Sequence, residues 1–407
     1  MNSRKLNICI LNYEPFDPGM PARSEVTEIY GEYMPRFGHK LTWITPSGEK
    51  GKEVQEKFFK GVKIYTIPRP TTSFLPLKIF NFILYLLKEY RLLTAIFKKE
   101  KYDIIQARDD VFTALVALRI KKKYNIPLVF QYSFPKGVHN LQGLQERYLR
   151  FFGKFESRVT QYILRKADLV FPISKWMEAE LIKEGIPQSK MMPLTMGVNL
   201  ELFSEAKGGT NIPELHEPSK TILYAGTMDR KRELSILIRA FSKIREHKEN
   251  VKLLMVGQGN DRTSLEELAS RLGIQDDVIF TGQVPYFDMP RYISEGYVCV
   301  SPVPPLSIYK VSSPTKIFEY MAIGKPVVAN EEIPEQKEVL EESGGGICVP
   351  FTPEAFAEAI IELINDPGKA AEMGRRGKEW VVQNRDYETL ARQVEKRYLE
   401  LLNQPVS

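Results

Sequence analysis

Short apolar runs alternate with longer amphipathic stretches along most of the chain, a pattern that predicts repeated strand-helix units around parallel sheets. In the first half, Leu6–Asn12, Lys40–Thr45, Val62–Pro68, Asp103–Arg108, Pro127–Ser133 and Leu169–Ser174 read as strands. In the second half, Thr221–Gly226, Val251–Gly257, Val278–Gly282, Val298–Pro302, Pro326–Asn330 and Gly346–Val349 repeat the scheme. A polar stretch containing Gly and Pro, Ser204–Lys220, separates the halves and reads as a linker. The expected division is therefore 1–205, 206–384 and a final segment, 385–407, that carries a helix over about Tyr387–Leu402.

At 407 residues the chain is long enough for two full cores. Hydrophobic residues make up 43% and charged residues 27%, which argues against disorder and fibrous structure. The charge is uneven: residues 1–205 hold 32 Lys and Arg against 21 Asp and Glu, a net +11, and 206–407 hold 25 against 30, a net −5. The basic half suits an anionic partner, either a phosphorylated or lipid-diphosphate acceptor or an acidic membrane surface, and no nucleic acid is expected. Cys9, Cys299 and Cys348 lie far apart without Cys-x-x-Cys spacing, so neither disulfides nor zinc are expected and a reducing cytoplasm fits. MNSRKLNICILNY runs straight into a strand pattern without a small-residue cleavage site, so no signal peptide is expected.

One segment bears on membranes. Within Phe74–Phe97 the longest near-apolar run is Ile79–Leu87, far short of the roughly 20 residues that a bilayer span needs. The segment reads as a helix buried against its own sheet. An interfacial helix is the alternative, because Lys78, Lys88, Arg91, Lys98 and Lys99 surround its aromatic and leucine residues.

The most specific chemistry lies in SSPTKIFEYMAIGKPVVA, Ser312–Ala329, which reads as a loop, a helix over about Pro314–Ala322 and a Gly-Lys-Pro turn into a buried strand. Free N–H groups and the positive dipole end at the helix start suit a phosphate. Lys316 adds charge there, and Glu319 can accept hydrogen bonds from sugar hydroxyls. This combination points to a nucleotide-sugar donor. The segment resembles the donor motif of retaining glycosyltransferases of family four, and the likeness extends along most of the chain. That resemblance implies an α/β fold of the GT-B type, with two Rossmann-like, doubly wound parallel-sheet domains facing a central cleft and the last helix crossing back to the first domain.

The resemblance also assigns residues. Glu319 matches the second of two glutamates common in the family, and Val311 stands where the first would be. The chain is thus similar to the branch with Ser-x-Pro-x-Lys before Phe-Glu-Tyr-Met, in which Lys316, the backbone N–H groups of Thr315 and Lys316, and the adjoining Ser313 lie at the donor. Tyr224–Phe241 looks like the family's strand, glycine turn and helix: Gly226 permits close backbone approach, and Arg232 offers a fork to phosphate oxygens. Thr227 stands where an arginine is frequent, with Arg230 as its candidate substitute. Gly257-Gln258-Gly259 resembles the turn beside the nucleotide, and the backbone at Val284 is expected to cradle the base.

In the first half, Ile10–Pro46 looks like the family's opening strand and acceptor loop, which places Gly19 and Arg23 on the acceptor side. Ser133 occupies the position of a histidine often found in the family, and His139 is a nearby loop candidate. Arg108, Asp109 and Asp110 end a strand at the edge where open α/β sheets bind ligands, whereas His39, in a turn after Gly38, reads as structural.

The reaction implied is transfer of a sugar from a nucleoside diphosphate to a hydroxyl of a glycan or lipid-linked acceptor, with anomeric configuration retained. Arg232, Lys316 and the helix start are expected to stabilise the leaving diphosphate, with no metal or other cofactor. Cytoplasmic location, peripheral at the inner membrane face, follows from the same reading. A degenerate GT-B binding protein is the non-enzymatic alternative, and an epimerase that eliminates the diphosphate has only Asp109, Asp110 and His139 as acid-base candidates. A dinucleotide dehydrogenase is disfavoured, because Leu11–Asp17 has no glycine and Gly257-Gln258-Gly259 lacks the third one.

Overall fold

The computed structural model describes residues 4–15, 25–47, 53–69, 75–133, 146–204 and 220–403. The chain forms two compact units, Met1–Thr195 with Tyr387–Ser407, and Met196–Asp386. The expected boundary at 205 moves to 195/196, since Met196–Ser204 groups with the second unit, and the expected linker lies almost wholly outside the described residues.

The first unit carries a seven-stranded sheet of β1 (Asn7–Leu11), β2 (Lys40–Ser47), β3 (Gln55–Phe59), β4 (Val62–Pro68), β5 (Ile104–Arg108), β6 (Leu128–Tyr132) and β7 (Leu169–Pro172). Their order is β3-β4-β2-β1-β5-β6-β7, and every pair is parallel except β3 with β4. β3 is the strand that the hydrophobic pattern misses. It forms a hairpin edge whose turn residues Lys60 and Gly61 both take positive φ, 46° and 84°. Apart from Lys63 and Tyr65 of β4, the other strands are buried along most of their length, so their apolar runs are legible in the sequence.

The last helix, Tyr387–Leu402, completes this unit's core. Tyr387, Leu390, Ala391, Val394 and Tyr398 pack with Ile8, Ile10, Trp43 and Phe171. The Tyr398 hydroxyl donates to Gln106 Oε1 inside the core. His39 is fixed from both sides: Nδ1 accepts from Leu6 N at 3.1 Å, and Nε2 meets Glu395 Oε1 at 3.0 Å.

The second unit has a six-stranded, all-parallel sheet of β8 (Lys220–Ala225), β9 (Val251–Val256), β10 (Val278–Gly282), β11 (Val298–Ser301), β12 (Val327–Asn330) and β13 (Gly346–Val349), ordered β10-β9-β8-β11-β12-β13. The strand order reverses at β8/β11, the place where such sheets open a crevice at their carboxyl edge. Leu237 and Phe241 of the helix Ser235–Arg245, with Phe356, Ile360 and Leu363 of Pro353–Asn365, belong to the core that covers this sheet.

The 25-residue helix Leu75–Lys99 corrects one expectation. Tyr85, Glu89, Leu93 and Phe97 face inward, but Leu77, Ile79, Phe80, Ile83, Leu84 and Leu87 are 38–56% exposed. The helix is thus buried along one stripe and leaves a second apolar stripe in solvent. Among the described residues, no helix is long and apolar enough to cross a membrane.

Burial pushes the His39 imidazole below its ordinary value, more than Glu395 raises it. The unfolded chain then takes the proton first, so stability falls as pH drops below the unfolded value of about 6.5. Thermal unfolding between about pH 8 and 5 should show a fall in Tm that is smaller in His39→Asn; an equal fall in both would contradict this coupling.

Candidate functional site

The candidate donor site is built by glycine turns at the ends of β8 and β9 and by the start of the helix Thr315–Ala322. Gly226 (φ 151°) and Gly257 (φ 133°) are so closely stacked that a Cβ on Gly257 would lie 2.1 Å from the Gly226 carbonyl oxygen. Gly226 N donates to Val256 O, and Gly257 N donates to Gly282 O, which ties the three strand ends together. Only glycine allows this approach. A Cβ on Gly226 would also come within 3.2 Å of Lys316 Nζ, so the bare backbone leaves room for the amine.

The helix itself is held by its apolar face: Ile317, Phe318, Tyr320, Met321 and Ala322 are buried. The Tyr320 hydroxyl accepts from Ala225 N at 2.8 Å, pinning the helix to the end of β8. Pro314 precedes the first turn and supplies no side-chain cap. The first N–H groups of this helix therefore have neither an intrahelical nor an N-cap side-chain acceptor.

Around that start stand Lys316, Arg232 and Glu319, brought together from two separate motifs. Lys316 Nζ lies 4.0 Å from the centre of the Tyr224 ring, and the Arg232 guanidinium lies 5.1 Å from that of Tyr309. Burial, with the Arg232 charge second, holds the Lys316 amine well below the usual lysine range, and Glu319 opposes this. Burial lifts the Glu319 carboxyl to about 7, against the Tyr286 hydroxyl and the Lys316 charge. Lys316 thus lies between the Arg232 charge, which disfavours its protonation, and the Glu319 carboxyl, which favours it. An anion is the group that would stabilise both cations.

The remaining expectations for this unit sort differently. Arg230 is exposed; its backbone N donates to Asn260 Oδ1, and its side chain reaches Asp261 at 4.0 Å. Thr227 is exposed and gives its carbonyl to the Tyr224 hydroxyl at 2.9 Å. Val284 is half-buried after β10. Thr315 opens the helix as expected, but the Ser313 hydroxyl is engaged inside the fold, with Met196 N and Glu335. Tyr224, Tyr286 and Tyr309 escaped the motif reading; only Tyr224, two residues before the Gly226 turn, carried a sequence signal.

In the first unit the structure corrects the role expected of Arg108. It is wholly buried at the end of β5, hydrogen-bonded to Glu25 and 3.6 Å from both Glu14 and Asp109. It is an internal countercharge and does not present a cation to an acceptor. Asp109 takes a left-handed φ of 57° and accepts from Ser133 N at 2.6 Å, which makes Ser133 a buried tie. Asp110 caps the helix Val111–Tyr124 by accepting from Phe112 N and Thr113 N. Gly19, Arg23 and His139 lie outside the described residues.

A sheet whose carboxyl edge gathers two cations at a helix start, in a chain with a second Rossmann-like parallel sheet, is the construction of a GT-B glycosyltransferase. Comparison with known proteins narrows the class. Residues 26–202 match the pattern of "Glycosyltransferase Family 4", and residues 210–380 match "Glycosyl transferases group 1". The chain belongs to the GT-B glycosyltransferases of family four.

An uncharacterised glycosyltransferase of Methanocaldococcus jannaschii is 25% identical over 377 residues, 89% of this chain and 90% of that one. A GDP-mannose-dependent alpha-(1-6)-phosphatidylinositol monomannoside mannosyltransferase of Mycolicibacterium smegmatis is 25% identical over 236 residues, 55% of this chain and 60% of that one. Sucrose-phosphate synthase of Thermosynechococcus elongatus shares the fold with a TM-score of 0.78 at 23% identity, over 98% of this chain and 99% of that one.

The lowered Lys316 value gives the site a pH dependence. Affinity for a nucleoside diphosphate should fall as pH rises toward the ordinary lysine value of about 10.4, because the amine discharges below it. Calorimetric titration should show that fall in the native protein and weak, flat binding in Lys316→Met; undiminished affinity at pH 10 would contradict the assignment.

Proposed function

We propose that this protein moves a sugar from a nucleoside diphosphate to an acceptor hydroxyl, retaining the anomeric configuration, in the synthesis of a polysaccharide, glycolipid or other glycoconjugate. The observation that carries the donor side is the pairing of Lys316 and Arg232 at an open helix start, with Glu319 one helical turn further on. As the bond to the sugar breaks, charge grows on the leaving diphosphate. Fixed N–H groups, an amine and a guanidinium stabilise that charge without a resident metal. Glu319 is assigned to the ribose hydroxyls. The donor is a UDP- or GDP-sugar; the GDP-mannose dependence of the Mycolicibacterium relative supports the second.

The acceptor side calls for a different surface. The exposed stripe of the Leu75–Lys99 helix continues at seven-residue spacing from Leu84 through the exposed cations Arg91 and Lys98. An apolar stripe that ends in cations complements an anionic bilayer, which takes up the apolar side chains between its headgroups and pairs with the basic end. A second copy would set those cations against apolar side chains or against each other. The stripe begins at the sheet's carboxyl edge: Phe82 meets Phe112, just beyond Arg108–Asp110, edge-on at 5.4 Å. A lipid-linked acceptor at the inner membrane face would therefore reach the unit where Asp109 and Ser133 lie.

Thermal unfolding of the protein with UDP, GDP, ADP, CMP and dTDP, with and without magnesium, tests the donor reading. One diphosphate should raise Tm without metal, and Lys316→Ala and Arg232→Ala should each weaken its binding by about tenfold to a hundredfold. No shift from any nucleotide would favour a degenerate binding protein. Vesicle flotation tests the membrane contact: the protein should float with vesicles containing anionic lipid, far less with neutral ones, and Ile83→Glu/Leu87→Glu should abolish it. Equal recovery of both proteins, or self-association that the same variant abolishes, would overturn the contact.

A further inference from the structure

The loop that leads into the helix Thr315–Ala322 is held by a residue outside every motif above, Glu335. It lies in the first turn of the helix Pro334–Ser343 and is fully buried. One oxygen, Oε1, accepts from the Ser313 hydroxyl at 2.9 Å and from Arg385 Nη2 at 3.1 Å. Ser313 Oγ in turn accepts from Met196 N at 3.0 Å. Arg385 lies over the Phe318 ring at 4.9 Å, and its carbonyl accepts from Val198 N at 2.9 Å. A single carboxylate thus joins the loop before the donor helix, that helix's buried face, and the two segments by which the chain enters and leaves this unit.

A buried ion pair is a poor source of stability, because apolar side chains of the same volume close a core with less desolvation. What this network does supply is direction. Ser313 precedes the first helical residue by two positions, so fixing its hydroxyl fixes where the free N–H groups of the first turn point. Arg385 against Phe318 fixes the helix about its axis. Both restraints bear on the few ångströms that decide whether amides, amine and guanidinium converge on one phosphate.

We propose that Glu335 is a positioning residue for the donor: acting through Ser313 and Arg385, it holds the helix start in its anion-binding geometry without touching the donor. The proposal deepens the transferase reading and rests on it, since it needs the helix start to be the diphosphate site.

Calorimetric binding of UDP and of GDP, without metal, to the native protein, Ser313→Ala, Glu335→Gln and the double variant tests this, with Tm recorded for each without nucleotide. Ser313→Ala removes one hydroxyl and leaves the Glu335–Arg385 pair. It should weaken the preferred nucleotide about three- to tenfold, with a fall in Tm of a few degrees because Met196 N also loses its acceptor. Glu335→Gln should weaken it by a similar factor. The double variant should lose little more than the stronger single one, because both act through the same contact. Unchanged affinity with lowered Tm would make the network purely structural and overturn the proposal, as would fully additive losses. A native protein that binds neither nucleotide would instead overturn the donor site itself, and the role of Glu335 with it.

Discussion

A lysine and an arginine crowded at the open start of a helix, where burial and their mutual repulsion disfavour the lysine's charge, are an arrangement that a folded chain holds at a cost and an anion relieves. Much of the second unit is organised around that constraint. The glycine turns after β8 and β9 stack too closely for any side chain, which clears the space that Lys316 enters. Tyr224 and Tyr309 present ring faces to Lys316 and Arg232. The apolar face of the helix and the Tyr320 bond to β8 then carry the positional precision.

The first unit solves the opposite problem. Its sheet also ends in charge, but Arg108 is enclosed by carboxylates and Asp109 is turned inward by a left-handed backbone to meet Ser133. The edge is self-neutralised and offers no spare cation of its own among the described residues there. The unit's basic excess lies on its surface, where Arg91 and Lys98 extend an apolar stripe. The two units therefore differ in kind: the second gathers basic side chains at its sheet edge, and the first pairs its charge internally there and shows an amphipathic exterior.

Most strands were legible because helices cover both faces and leave continuous apolar runs, and the helix starting at Thr315 was legible because a proline precedes its amphipathic repeat. β3 was not: it is an exposed edge that opens on three polar residues, Gln55, Glu56 and Lys57, and is joined by a Lys-Gly turn that carries no strong turn signal. The Leu75–Lys99 helix was visible as a helix, yet its composition, apolar nearly all round, does not say which stripe meets the sheet. Arg108 looks the same in sequence whether it is offered to a ligand or paired with Glu25, because the partner lies far away along the chain. The role of Ser313 was hidden for the same reason, as its acceptor belongs to another helix.

The central claim is that the helix beginning at Thr315, with Lys316 and Arg232, is the diphosphate site. The most direct measurement is a crystal structure of the protein with the nucleoside diphosphate that it binds best. The phosphates should lie within hydrogen-bond distance of the Thr315 and Lys316 amides, with Lys316 Nζ and the Arg232 guanidinium on their oxygens and the ribose hydroxyls at Glu319. A nucleotide bound with its phosphates away from this helix start, leaving Lys316 against Tyr224 as it stands now, would contradict it.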